Sequence, residues 1–254
     1  VTRVLKIGGR AQGNSTLAAT IAAGWKADPQ LVIVHGGGDE VTALQRDLGR
    51  EPTFLNGRRV TTPDDLTLVR MVLSGTVNKR LVGQFLAAGV PAAGISGEDG
   101  DLLRCLPFRD GAYGEVGEPT RVNRALLDAL IAGGFVPVVS PLGRFVEGGG
   151  GCNVNGDDAA AAIAGALQAS ELLLLADVPG VLRDDGSCIS QLDRAEAMEL
   201  VERGTATGGM IAKLEAGIRA LDAGVKSIRI GDLRAILEPG AGSSLLHAVG
   251  IRGG

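Results

Sequence analysis

The chain is poor in the residues that most active-site chemistries draw on. Its 254 residues include two histidines, His35 and His247, and three cysteines, Cys105, Cys152 and Cys188, with no CxxC pair. That set offers no zinc-ligand spacing and no disulfide framework, and no Ser–His–Asp or Cys–His constellation can be assembled from it. The thiols are expected to be reduced. Aromatics make up 3% of the sequence, too few for base-stacking platforms, and a net charge of -4 provides no basic field for nucleic acid or anionic lipid. No apolar run approaches the roughly 18 residues of a membrane span, and the opening VTRVLKIGG enters a strand pattern directly, without a leader-like segment. A cytoplasmic protein with neither nucleic-acid nor membrane partners is expected. GxGxxG and GxxxxGK[ST] are missing too, which argues against a dinucleotide fingerprint and a P-loop.

Glycine is abundant instead, at 40 residues scattered through aperiodic loops. Between those loops, short apolar runs alternate with helical patterns. The strand candidates are RVLKIG, QLVIVHG, PAAGIS, FVPVVSP, ELLLLAD and SIRIGD. Most are continuously apolar, the pattern of parallel strands covered on both faces. Helix candidates are STLAATIAAGWKA, TPDDLTLVRMVLSGTVNKRLVGQFLAAG, NRALLDALIAGG, DDAAAAIAGALQA and MIAKLEAGIRALDAG, several stopping at Gly89, Gly133 and Gly224. The alternation predicts an α/β fold, a three-layer α/β/α open and mainly parallel sheet. Residues 101–122 read as a β-hairpin inserted at one sheet edge, and GRFVEGGGGCNVN as a second hairpin. One domain spans residues 1–254, with a hinge near residue 168 dividing a lobe of residues 1–168 from one of 169–254.

In such sheets ligands bind outside the carboxyl ends of the strands. The first strand-to-helix turn carries Lys6, Gly8 and Gly9, and the second carries Gly36, Gly37 and Gly38 before a helix. Glycines there let backbone N–H groups approach an anion, and a helix N-terminus adds its dipole. A tight turn alone explains either glycine run equally well. Lys6 sits in an apolar strand without a local partner, so it reads as a cation aimed at the turns. Asn153, Asn155 and Asp157 alternate on one face of an extended segment. Helix capping by Asp157 or Asp158 explains one acid there but not the two preceding amides. Lys213 stands early in a helix, where the dipole disfavours it and a nearby anion would help. Asp177, Pro179 and Gly180 end a strand in a turn suited to a nucleoside, and Arg58 or Arg59 could bind a carboxylate bidentately. This inventory suits phosphoryl transfer to a carboxylate. The nucleophile is already ionised, and the reaction needs alignment and cations rather than a base.

LKIGG, VIVHGGG, NGRRVT, NKRL, NVNGDDAAAAIA, LLADVPGVL and TGGMIAK occur in an order that resembles the amino acid kinase family, from Lys6 to about Ser243. The likeness is greatest to its N-acetyl-L-glutamate kinase branch. The resemblance implies a carbamate kinase-like fold and ATP with Mg2+, the metal carried by the nucleotide phosphates and no metal bound by protein residues. It implies N-acetyl-L-glutamate as substrate, phosphorylated on its γ-carboxylate in arginine biosynthesis. Lys6 and Lys213 would stabilise the transferring group, Asp157 would orient both lysines, and Gly9 and Gly37 would donate N–H bonds. Arg59 would clamp the α-carboxylate, with Asn153, Asn155, Gly37 and Gly38 lining the pocket. Gly8, Asp177, Val178, Pro179, Gly180, Val181, Leu182, Thr205, Ala206, Thr207 and Met210 would border the nucleotide. Arginine-inhibited relatives carry an extra N-terminal helix. The first strand here begins near Arg3, so a homodimer without arginine feedback is expected. Arg10 and the run Gly148–Gly151 depart from the family pattern. Two other readings stay open. One is a kinase for carrier-protein-linked aminoadipate or glutamate in lysine or arginine biosynthesis, with Arg10, Arg58, Arg104 and Arg109 as a basic rim; the other is a non-catalytic amino-acid or nucleotide sensor.

Overall fold

The computed structural model describes residues 2–247. The chain runs β1 (Arg3–Ile7), α1 (Leu17–Ala27), β2 (Leu31–His35), α2 (Gly38–Asp47) and a small hairpin of β3 (Phe54–Leu55) and β4 (Arg58–Arg59). Next come α3 (Pro63–Arg70), a π-helical stretch (Met71–Val77), α4 (Asn78–Ala87), β5 (Ala92–Ser96), β6 (Leu103–Pro107), β7 (Val116–Val122) and α5 (Arg124–Ala132). β8 (Val136–Ser140), β9 (Leu142–Phe145), β10 (Gly151–Val154), α6 (Gly156–Leu167) and β11 (Glu171–Leu175) follow. The chain ends in β12 (Gln191–Asp193), α7 (Arg194–Glu202), α8 (Gly209–Asp222), β13 (Ile228–Gly231) and β14 (Ser243–Leu246).

One eight-stranded sheet has the order β12-β14-β13-β11-β1-β2-β8-β5. The six strands from β13 to β5 are mutually parallel and correspond to the six apolar runs read from the sequence. Their continuous apolarity has the expected cause. On β11, Leu172 and Leu174 join a core with α6 and α8, while Leu173 and Leu175 join one with α1, α3 and α4. Every second residue turns to the opposite face and both faces are covered. Strands from before residue 168 form one half of the sheet, later strands form the other, and β1 pairs with β11 where the halves meet.

The structure differs from the expectation in three places. The two hairpins do not extend a sheet edge; β6, β7, β9 and β10 close on one another as a small barrel. Antiparallel β14 and short β12 add an edge for which their sequences carry no apolar run. The long helix of residues 62–89 is interrupted by π-helical turns, a geometry that gathers at functional sites. Leu174, fully buried in the central β11, measures what the layered core contributes. Leu174→Ala is expected to lower stability by about 2–5 kcal/mol through lost burial and a cavity, read as a lower urea midpoint with an unchanged m-value.

Candidate active site

The polar centre of the molecule is a shared carboxylate. Lys6 Nζ and Lys213 Nζ each lie 3.0 Å from the same oxygen, Oδ1 of Asp157. All three are buried, at 7%, 8% and 4% exposure. Strand alternation puts Lys6 on the face of β1 that Val4 occupies, toward α6 and α8. Asp157 lies in the first turn of α6, and Lys213 in the first turns of α8. Burial raises the pKa of the Asp157 carboxyl, but the two ammonium groups outweigh it and hold the group below the usual carboxylate range. Burial and the charge of Lys6 push Lys213 down to about 8, against the pull of Asp157. Two cations on one anion leave an excess positive charge inside the protein. Such a site attracts an anion.

Asp157 is free for this role because it does not cap its helix. Asn155 is the cap, its side-chain oxygen accepting from the N–H groups of Asp157 at 2.8 Å and Asp158 at 3.3 Å. This corrects the capping assignment to either aspartate. Asp158 instead accepts from Arg58 at 2.6 Å and from Arg219. Arg58 also reaches Glu215 at 3.2 Å and lies over the Phe108 ring, so it ties the β3–β4 hairpin to α6 and α8. Arg59, next on β4, turns the other way. Its guanidinium donates to the Gly38 carbonyl at 2.9 Å, to Thr42 Oγ1 at 2.6 Å and to Gln45 Oε1, over the Phe54 ring.

Two cavities lie near the Lys–Asp–Lys cluster, one lined by Lys213 and the other by Gly156. The larger, about 550 Å³, is walled by the first glycine turn and the end of β11. Gly8, Gly9, Asp177, Val178, Val181, Leu182, Thr205, Ala206, Thr207, Met210 and Lys213 all line it. Pro179 and Gly180 do not; Pro179 turns to a separate surface depression. Gly180 packs so tightly that an added Cβ would stand 2.5 Å from Ser243 Oγ. Arg10 and Asp39, absent from the sequence-derived site, also line this cavity, and Arg10 Nη1 bonds Asp177 Oδ2 at 2.6 Å.

The smaller cavity, about 240 Å³, is lined by Gly37, Gly38, Arg59, Asn153 and Asn155. Asn153 donates to Thr61 Oγ1 at 3.0 Å. Val41, Val69, Leu73, Val116 and Pro141 form an apolar wall opposite the polar groups. Gly37 has φ +155°, and a Cβ there would stand 2.8 Å from Leu73 Cδ2, so this position requires glycine. Gly156 lines the same cavity with Lys6 packed behind it, an added Cβ falling 3.2 Å from Lys6 Cε. Thr42, Gln45 and Asp39 carried no signal in the sequence, where polar residues on a helix read as solvated.

Arg58 and Arg59 are adjacent, and their partners assign them different work. Arg58→Ala strands buried Asp158 with one remaining cation and is expected to lower stability by about 3–5 kcal/mol. A chemical denaturation series should show that loss, whereas Arg59→Ala, which leaves buried Gln45 Oε1 without its donor, should cost less, about 1–3 kcal/mol.

The profile of the Amino acid kinase family matches residues 2–232. Acetylglutamate kinase of Jannaschia sp. (strain CCS1) is 41% identical, over 95% of this chain and 88% of the relative. Among solved structures, smu.665 from Streptococcus mutans UA159 superposes with a TM-score of 0.87 at 31% identity, covering 96% of this chain and 98% of that one. Carbamate kinase from Giardia, at 16% identity, shares the fold with a TM-score of 0.72 over 97% of this chain and 98% of its own. With most of its length matched by the family profile and by these relatives, the chain belongs to the amino acid kinase family.

Proposed function

We propose that the chain transfers the γ-phosphoryl group of ATP to the side-chain carboxylate of N-acetyl-L-glutamate, giving N-acetyl-L-glutamyl 5-phosphate for arginine biosynthesis. The observation that carries this is the buried Lys6–Asp157–Lys213 cluster, with Lys213 lining the larger cavity and Lys6 packed behind Gly156 of the smaller. The larger cavity is of a size for a nucleotide. The smaller offers Arg59 and Asn153 to a carboxylate and amide, and an apolar wall to an acetyl methyl. The kinship to acetylglutamate kinases supports the same substrate.

In this reading a carboxylate oxygen attacks the γ-phosphorus, the bond to the β-phosphate bridging oxygen breaks, and ADP leaves with that electron pair. No proton moves. The transition state spreads negative charge over the transferring oxygens, and Lys6, Lys213 and the N–H groups of Gly9 and Gly37 would supply the fixed positive charge that lowers its energy. Asp157 keeps two mutually repelling ammonium groups at one place before substrate arrives. The fit is to Mg2+ carried on the triphosphate, with Asp39 and Asp177 the carboxylates of that cavity. When bound, the metal neutralises phosphate charge.

The chain is read as two lobes hinged near residue 168, where Gln168 ends α6 in a left-handed conformation. A homodimer is the expected assembly. Supporting it, β5 is an edge strand with exposed Leu86 on the helix packed over it and exposed Phe135 entering its neighbour β8. No helix among the described residues is long and apolar enough to cross a membrane, and a cytoplasmic location suits the biosynthetic role. The carrier-linked reading is not favoured: Arg58 is buried in ion pairs and Arg104 bonds Asp101 and the Val146 carbonyl, so neither offers a free basic rim. The sensor reading is disfavoured by the retention of both lysines.

Purified protein with ATP, Mg2+ and N-acetylglutamate should yield an acyl phosphate trapped as its hydroxamate, with glutamate and N-acetylaspartate giving little; absence of product would overturn the substrate reading. Lys6→Met or Lys213→Met should each lower kcat by roughly 10²–10³-fold. Arg59→Ala should act mainly on the KM for N-acetylglutamate. Lys213 is charged below its depressed pKa, so kcat/KM for ATP should hold below about pH 8 and fall as pH rises through it.

A further inference from the structure

His35 is fully buried at the end of β2, immediately before the glycine turn, and the phosphoryl-transfer chemistry makes no use of it. Its surroundings fix which ring nitrogen carries the proton. Asn78 Nδ2 lies 2.8 Å from the Val138 carbonyl and 3.1 Å from His35 Nε2, and Asn78 Oδ1 accepts from Lys79 Nζ at 3.1 Å. The amide nitrogen is therefore toward Val138 and His35, and with the Ile95 carbonyl farther off at 3.5 Å its second hydrogen is donated to Nε2. An accepting Nε2 puts the proton on Nδ1, which lies 2.9 Å from the Gly36 carbonyl and donates to it. Burial lowers the His35 pKa to about 4, so the ring stays neutral and keeps this tautomer.

The same carbonyl has a second grip. Gln12 Nε2 donates to the Gly36 oxygen at 2.8 Å, and Gln12 Oε1 accepts from Arg80, which forks onto Glu40 at 2.7 and 2.8 Å. The Gly36 N–H is tied to the Ile7 carbonyl at 2.9 Å. In a trans peptide the C=O and the following N–H point in opposite directions. Two donors holding the Gly36 oxygen on the buried side thus aim the Gly37 N–H the other way, toward the cavity that Gly37 lines. No acceptor among the described residues meets that N–H. Gly37 cannot hold the plane by itself, since glycine is the least restricted residue.

We infer that His35 and Gln12 are positioning residues that together lock the Gly36–Gly37 peptide plane and so preorganise the Gly37 N–H as a donor to the transferring phosphoryl group. Asn78 acts one step back by fixing the tautomer of His35. It is delivered there by the π-helical stretch, which ends at Val77. The inference rests on the kinase reading for what the N–H binds, but not for the locking itself.

Two measurements test it. Long-range 1H–15N correlation on 15N-labelled protein should show His35 as the Nδ1–H tautomer throughout pH 5–9, without titrating. An Nε2–H tautomer, or a titration in that range, overturns the inference whether or not the protein phosphorylates N-acetylglutamate. In turnover, His35→Leu and Gln12→Leu should each lower kcat roughly ten- to a hundred-fold while KM for both substrates moves less than about threefold, the mark of a donor that matters in the transition state. His35→Asn, whose amide nitrogen replaces Nδ1, should restore kcat to within about threefold of the parent. If His35→Leu fails to fold, Gln12→Leu carries the kinetic test alone. Folded variants with parental kcat, or with losses confined to thermal stability, overturn the proposal. A parent enzyme with no turnover on N-acetylglutamate but with the Nδ1–H tautomer would retain the locked peptide and discard the function.

Discussion

Two ammonium groups bonded to one buried carboxylate oxygen form the interaction around which the rest of this structure is arranged. Asp157 cannot remain charged at that depth without the lysines, and the lysines would repel each other without Asp157. The three come from three elements: a parallel strand and the first turns of two helices. Each must be anchored independently. Asn155 caps α6 so that Asp157 need not. Asp158, one residue on, engages Arg58 and Arg219 and so fixes α6 against the hairpin and α8. The remaining positive charge borders the larger cavity, which Lys213 lines.

Side chains supply the charge of the site, whereas the backbone supplies its direction. The glycine turns put N–H groups close to where phosphate oxygens would lie, and such groups are useful only when their planes are fixed. The backbone at Gly37 is held from outside, by Leu73 and Val77 packing on one side and by donors to the preceding carbonyl on the other. Arg59 follows the same rule. Thr42, Gln45 and the Gly38 carbonyl hold its guanidinium before any carboxylate arrives, which reduces the entropy lost on binding.

Much of this was legible in the sequence, for identifiable reasons. Parallel strands buried on both faces announce themselves as unbroken apolar runs, so RVLKI, LVIVH and ELLLL were readable alone. The order of glycine, asparagine and lysine motifs carried the family. What was not legible depends on contacts distant in the chain. The barrel needs β6 to find β9 and β7 to find β10, and no local pattern specifies that. Arg58 and Arg59 are identical neighbours until strand alternation gives one Asp158 as partner and the other Thr42 and the Gly38 carbonyl. Asn155 and the aspartates after it are all acceptable caps, and only the positions of Lys6 and Arg58 decide among them. Pro179 and Gly180 belong to the same turn as Val181 and Leu182 yet face away from the nucleotide-sized cavity, a distinction of side-chain direction that a motif does not contain.

The most direct measurement of the central claim is a crystal structure with ADP, Mg2+, aluminium fluoride and N-acetylglutamate, a mimic of the phosphoryl group in flight. ADP is expected in the larger cavity and the acyl amino acid against Arg59 in the smaller. The fluoride should lie within hydrogen-bond reach of Lys6, Lys213 and the Gly9 and Gly37 N–H groups, with Asp157 still between the lysines. Ligands bound elsewhere, or a fluoride out of reach of both ammonium groups, would contradict it.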